Sequence, residues 1–250
     1  MLILLPPSEG KTAPVHGAPV DLEALPFPEL TAARRRVGKA LVTASGQRNA
    51  LAVLGVGPSL ADHVARNTTL WDNPSAPAAR VYSGVLYDAA GAAEWDEQTQ
   101  ARAAARVRII SALWGVISPA DEIPSYRLSM CSSLGRMGPV TAHWRKHLAP
   151  TLTRETRDHL IVDCRSSDYA AVWRPAPGTS LTVRVEREFE GRRSAVSHAA
   201  KYTRGLLTAA IVASPEEPTT EEDVAELAAR IPGISSVELR PGTLTLVTTG

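Results

Sequence analysis

VRVEREFEGRRSAVSHAAKYTRGLLTAAIV, from Val183 to Val212, carries a strand period and a helix period in one stretch. Val183, Val185 and Phe189 alternate with charged residues, the chain turns at Glu190-Gly191, and it returns through Ser194 to Ser197, the pattern of a β-hairpin. A helix follows. On a 3.6-residue wheel Ala199, Tyr202, Leu206, Ala210 and Ala213 share one face, while His198, Lys201 and Arg204 fan across the other with Gly205 and Thr208 between them. Cations in the first turns oppose the positive end of the helix dipole, so an anion or a carboxylate is expected opposite them. The hairpin carboxylates Glu186, Glu188 and Glu190 are the internal alternative, and Gly205, placed beside the cations, favours a phosphate over exposed pairs.

The chain has 250 residues, 44% of them apolar, which is ample for a core. No run of about eighteen apolar residues occurs, and the opening MLILLPPSEGK lacks a basic leader, so a cytoplasmic protein with no membrane contact is expected. Cys131 and Cys164 have no metal-ligand or redox spacing. His143 and His147 lie four apart without a third ligand nearby, so neither a metal nor a cofactor is expected. The net charge of +1 means that any affinity for nucleic acid rests on a local patch. Lysine occurs only at Lys11, Lys39, Lys146 and Lys201, and where a titratable amine is needed arginine is no substitute.

Met1 to Leu5 reads as a buried strand that ends in Pro6-Pro7-Ser8-Glu9-Gly10-Lys11-Thr12, a polar tail at a strand end. The Gly-Lys-Thr tripeptide is not a Walker A loop, because Leu5 stands where that motif needs glycine. Glu29 to Leu54 reads as two helices broken near Ser45-Gly46. Gly55-Val56-Gly57-Pro58 then leads into another helix, the outline of a helix-hairpin-helix whose glycine amides can approach a phosphate. Arg34, Arg35, Arg36 and Arg66 flank it. Arg80 to Tyr87 reads as a strand and turn, and Ala89 to Ala105 as a helix.

Val107 to Leu113 is strand-like and delivers Trp114, Asp121, Tyr126 and Arg127 into a loop, the composition of a pocket wall. Thr141 to Leu152 reads as a helix. Leu160 to Cys164 is another buried strand, with Asp163 near its end and Arg165, Ser166, Ser167, Asp168 and Tyr169 after it. From Pro215 an acidic linker, a helix from about Glu221 to Arg230 and a closing hairpin through Val237 to Val247 complete the chain. Polar groups follow the apolar runs after Leu5, Leu113, Cys164 and Ser197. These four ends are expected to converge on one cleft.

MLILLPPSEGKT at the start, ISALWGVISPADEIPSYRLSM in the centre, DCRSSDY and KYTRGL together resemble, in order and spacing, the YaaA family of peroxide-stress proteins. The resemblance spans nearly the whole chain. It implies a cytosolic DNA-binding protein that limits DNA damage when hydrogen peroxide and free iron rise together, with a mixed α/β fold, a helix-hairpin-helix and a positively charged cleft. The matching positions are Gly55 to Ala61, Lys11, Tyr126, Arg127, Asp168, Tyr169, Lys201, Arg204 and Gly205. The chain departs from the enterobacterial form in its Ser-Glu-Gly-Lys opening, in Trp114 where that form has tyrosine, and in a hairpin without lysine.

The expected architecture is a single α/β domain over residues 1–250. A mixed sheet is flanked by helices, and a helical segment at about 29–70 is inserted after the first strand. As a non-specific binder of duplex or branched DNA the protein would use Lys11, Gly55, Gly57, Arg127, Lys201 and Arg204, acting as a monomer. The alternative is an enzyme acting on a nucleotide or other phosphorylated small molecule. Lys201 or His198 is then the acid or base, Asp168 the orienting carboxylate, Arg127 and Arg204 the clamps. Ser8, Glu9, Trp114, Tyr126, Asp163, Tyr169 and Gly205 would line that pocket.

Overall fold

Leu2–Leu5 is buried at every residue and forms strand β1, about which the rest of the sheet assembles. The computed structural model describes residues 1–195 and 197–249, leaving aside the side chains of Ala195, Ser197 and His198. After β1 come helices α1 (Thr31–Ser45), α2 (Ala50–Leu54) and α3 (Ala61–Arg66). Strand β2 (Ala76–Pro77) precedes α4 (Ala78–Val81), α5 (Val85–Ala89) and α6 (Glu97–Arg106). Strands β3 (Val107–Ser111), β4 (Gly115–Ile117) and β5 (Glu122–Ile123) lead to α7 (Val140–Glu155), β6 (Ile161–Asp163) and α8 (Ser167–Ala170). The last third holds β7 (Ser180–Phe189), β8 (Arg192–Ala195), α9 (Ser197–Ala213), α10 (Glu221–Ala229), β9 (Ile234–Arg240) and β10 (Thr243–Thr249).

The main sheet is mixed, in the order β4-β3-β1-β6-β7-β10-β9, with β8 paired to part of β7. β1 lies parallel to both β3 and β6, and β7 lies parallel to both β6 and β10. Strands covered on both faces read as continuous apolar runs, as β1 does. The hairpin expected at Glu190-Gly191 is present: both residues have positive φ (50° and 72°), the backbone of the two-residue turn whose twist matches its strands.

Two readings of the chain change in three dimensions. Val81, Leu86 and Tyr87 are buried on the short helices α4 and α5, and the buried Tyr82, just after α4, is extended and bridges Lys11 without belonging to a named strand. Gly84, at φ 107°, makes the bend between those helices, a conformation that interrupts any strand through this segment. The helix expected from Ala89 begins at Glu97, because Gly91 (φ 64°) ends α5 and Asp96 caps α6 by accepting the Thr99 amide at 2.7 Å.

The inward face of α9 also differs from the wheel. Thr203, Leu207, Thr208, Ile211 and Val212 are buried, whereas Tyr202 is 53% exposed. The cause is Gly205, where a Cβ would stand 2.2 Å from the Leu86 carbonyl oxygen and 2.7 Å from Ala89 Cβ. Gly205 therefore admits α5 against α9 and is not among the residues that line the cavity. The carboxyl end of α9 is tied down from α6: Arg102 donates to the carbonyl of Val212 at 2.6 Å, and Arg106 to those of Ile211 and Ser214 at 2.9 and 2.7 Å.

Arg34 is fully buried, its Nε and Nη2 donating to the carbonyls of Trp114 and Val116 at 2.9 and 3.0 Å. It ties α1 to the β3–β4 connection, while Arg35 pairs with Glu23 at 3.3 Å. The segment read as a helix-hairpin-helix consists of the five-residue α2, a left-handed Gly55, a 3-10 turn Pro58–Leu60 and the six-residue α3. Helices of one to two turns do not establish that motif.

Gly205→Ala is expected to force α5 off α9 and to destabilise the fold by about 1–3 kcal/mol, as overpacking does. Urea denaturation measures it, and wild-type stability would mean that α5 and α9 do not pack as described.

Candidate active-site cleft

β6 ends at Asp163, which pairs with Thr182, but β7 continues to Phe189 and meets β8 only from Glu186. Val183–Val185 thus lies between two partners, and a cavity of about 1010 Å³ opens at this notch. The chain after β1 (Pro6–Gly10), the chain after β6 (Cys164–Tyr169), the start of α5, the exposed stretch of β7 and the side of α9 bound it. Arg204 reaches from α9 to donate Nη2 to the Val183 carbonyl at 2.8 Å, occupying the place of the strand residue that is missing. Its Nη1 contacts the Arg165 carbonyl at 3.4 Å, and its Nε is buried without a partner among the described residues.

Three of the four expected strand-end segments meet here. Ser8, Glu9, Asp168, Tyr169, Lys201 and Arg204 all lie on the wall. The segment after Leu113 reaches the wall only through Ser129 and otherwise arrives as backing. Trp114 is in the core, edge-on to Trp71 and Tyr126 at 6.4 and 6.1 Å between ring centroids, and Tyr126 shares its hydroxyl with Ser111 (2.7 Å) and Tyr82 (2.9 Å). Asp163 is committed to Arg165 through paired contacts at 2.9 and 2.7 Å, and that buried guanidinium, also in reach of the Tyr169 carbonyl, holds the loop after β6 in place. The His198 side chain lies outside the described residues. Gly55 and Gly57 do not line the cavity.

Arg127 pairs with Glu9 at 2.9 Å, largely buried itself while Glu9 is nearly half exposed. Its backbone is clasped by Asn67, whose Oδ1 accepts the Arg127 amide at 2.9 Å and whose Nδ2 donates to the Arg127 carbonyl at 3.0 Å. Asn67 is fully buried, and as one polar residue among several at a helix end it carries no sequence signal. Tyr87, which donates to the Pro6 carbonyl at 2.8 Å, and Arg184, an exposed cation on the wall, were likewise not singled out by the sequence.

Lys11 lies behind the wall. Its Nζ donates to the Ser8 carbonyl at 2.6 Å and sits over the rings of Tyr126 and Tyr82, at 4.3 and 5.4 Å from their centroids. Burial lowers its amine from 10.5 to about 7, Glu9 opposing the shift and Arg127 adding to it. Burial, with Glu9 and Tyr82 adding and the Met130 backbone opposing, raises the buried hydroxyl of Tyr169. Cys164, also on the wall, is pushed up to about 12 by burial, and burial followed by a hydrogen bond with Asp168 raises Cys131. Both remain thiols at neutral pH, which disfavours thiolate chemistry. Among the described residues no three His, Cys, Asp or Glu side chains are grouped to hold a metal ion, and no helix is long and apolar enough to cross a membrane.

An unfolded Lys11 keeps its proton up to about pH 10.5, while the folded one releases it from about 7. Between those values the unfolded state binds more protons, so stability rises with pH through that window. Urea denaturation from pH 7 to about 9.5 is expected to show this rise in the wild type, by up to about 1.4 kcal/mol per pH unit, and a flatter profile in Lys11→Met. Equal slopes would mean that the folded protein keeps Lys11 charged.

The family profile described as peroxide stress protein YaaA matches residues 1–229. A UPF0246 protein from Corynebacterium efficiens is 43% identical over 255 residues, covering 99% of this chain and 100% of its own. Another from Streptomyces coelicolor is 40% identical over 231 residues, covering 90% and 88%. By the profile, and by relatives matched at this identity over nearly their full length, the chain belongs to the YaaA family of peroxide stress proteins, whose matched relatives here carry the name UPF0246.

Proposed function

We propose that this family member acts by binding a nucleotide or a phosphorylated small molecule of similar size in the notch beside β7. The carrying observation is the cavity itself: about 1010 Å³, at the upper end of ligand-pocket sizes, at the ends of two parallel strands. Its wall alternates cations (Arg184, Lys201) with carboxylates (Glu9, Asp168, Glu186). A ligand with one anionic end and polar groups elsewhere suits that mixture. A continuous run of DNA phosphates would meet the three carboxylates, and Arg34, buried in the core, adds nothing to a basic surface.

Isothermal calorimetry with nucleoside monophosphates and sugar phosphates tests the reading. Lys201→Met and Arg184→Ala are each expected to weaken binding about tenfold or more, since hydrogen bonds to charged groups contribute about 1.5–3 kcal/mol, with melting unchanged. No heat from any of these ligands with the folded wild type overturns the proposal.

One observation supports a second reading, non-specific DNA binding that protects DNA under peroxide and iron stress. Gly55 and Gly57 lie in an exposed turn with no atom within 4 Å of where a Cβ would stand, room for a phosphate to reach the backbone, and Arg66 is exposed on α3. For that reading, duplex binding should fall steeply with salt, and Arg66→Ala should reduce the salt slope by about 1. Binding that ignores both salt and Arg66 removes this surface.

A further inference from the structure

The cavity has two chemically different ends. Arg184 and Lys201, from β7 and α9, bring its free cations, and Glu186, on the same face of β7 as Arg184, moderates them. Glu9 and Asp168 stand on the chains that follow β1 and β6. β1 and β7 are two places apart in the sheet, about 10 Å at the usual strand spacing. Glu9 and Asp168 share an end: the Cys131 thiol, raised first by burial, is raised further by Asp168 and then by Glu9. Ser8, beside Glu9, and Ser166 and Ser167, beside Asp168, add hydroxyls to this part of the wall.

Glu9 is fixed in place and still open to the cavity. Arg127 Nη1 reaches both its Oε2, at 2.9 Å, and its backbone carbonyl, at 3.3 Å. That arginine is clasped through its own backbone by the fully buried Asn67, so two residues from distant stretches steady one carboxylate. The Glu9 side chain nevertheless remains 45% exposed and lines the cavity. An ionised carboxylate offers about four acceptor positions and no donor, and Arg127 takes one of them. The others call for donors from a ligand. Since the guanidinium already answers the charge of Glu9, an ammonium gains little there, whereas a neutral hydroxyl gains a charge-assisted hydrogen bond.

We propose that Glu9 is the specificity-determining residue of the cleft, accepting the hydroxyls of a sugar whose phosphate lies at Arg184 and Lys201. The ligand is then a ribonucleotide or a sugar phosphate with adjacent free hydroxyls, and not a deoxy or amino analogue. Two strand spacings between the groups at the two ends match a sugar phosphate with one hydrogen bond of about 3 Å at each end. A carboxylate at the end of a parallel strand plays this part toward ribose in other α/β crevices. The inference rests on the reading of the cleft as a phosphate-ligand site and names the class of ligand.

Calorimetry on the whole chain tests it with matched pairs: AMP against its 2′,3′-dideoxy form, ribose 5-phosphate against 2-deoxyribose 5-phosphate, and phosphoethanolamine as the ammonium-bearing control. The hydroxylated member of a pair is expected to bind about tenfold or more tightly than its deoxy partner, the scale of one hydrogen bond to a charged group. Glu9→Gln, which keeps the shape of the side chain, should remove that preference while leaving the affinity for the deoxy ligand and the melting temperature as in the wild type. Equal affinity within every pair, or a preference that survives Glu9→Gln, overturns the proposal and leaves the phosphate cleft standing. Tightest binding of phosphoethanolamine also overturns it, by making Glu9 and Asp168 a cation site. Failure of every phosphate ligand to bind removes the cleft reading, and this inference with it.

Discussion

A backbone carbonyl left without a neighbouring strand must find another donor, and at Val183 that donor is Arg204. β6 stops at Asp163 while β7 runs on, so the sheet would present an open edge at Val183–Val185. One guanidinium from α9 meets that need at 2.8 Å and, in doing so, holds the helix across the gap without filling it. The cavity exists because the donor is a side chain. Another strand would have closed the space, and nothing at all would have left a buried acceptor unpaired.

The same helix is held from two other directions. Gly205 brings it to backbone distance from α5, and Arg102 and Arg106 take up carbonyls at its far end. Its arginine, glycine and lysine are therefore divided between tasks that the wheel could not separate. Arg204 replaces a strand, Gly205 admits another helix, and Lys201 remains exposed on the cavity wall. Charges elsewhere are sorted by the same logic: Arg34, Arg106 and Arg165 are buried where carbonyls or a carboxylate need donors. What faces the cavity is a short set of cations mixed with carboxylates, more selective toward one ligand than a uniformly basic groove would be.

Lys11 shows how little of its surroundings comes from its own segment. Neighbours in sequence supply the Ser8 carbonyl and the Glu9 charge, but Tyr82, Tyr126 and Arg127 come from later stretches and convert a turn lysine into a buried one. Tyr126 is in turn fixed by Ser111 and Tyr82, and Arg127 by Asn67, a residue more than fifty positions earlier in the chain.

Strand periods at Leu2–Leu5, Ile161–Asp163 and the β7–β8 hairpin, the helix after it and the polar tails at the strand ends were legible in the sequence, because pleat, turn and helix periods are local properties. The family kinship was legible for the same reason, being carried by contiguous runs. Which arginines are buried, which face of α9 turns inward and why Trp114 and Tyr126 back the cleft without lining it were decided only by tertiary structure. Those outcomes depend on partners far along the chain: the early end of β6, the close approach of Leu86 to Gly205 and the carbonyls that Arg34 and Arg204 must satisfy.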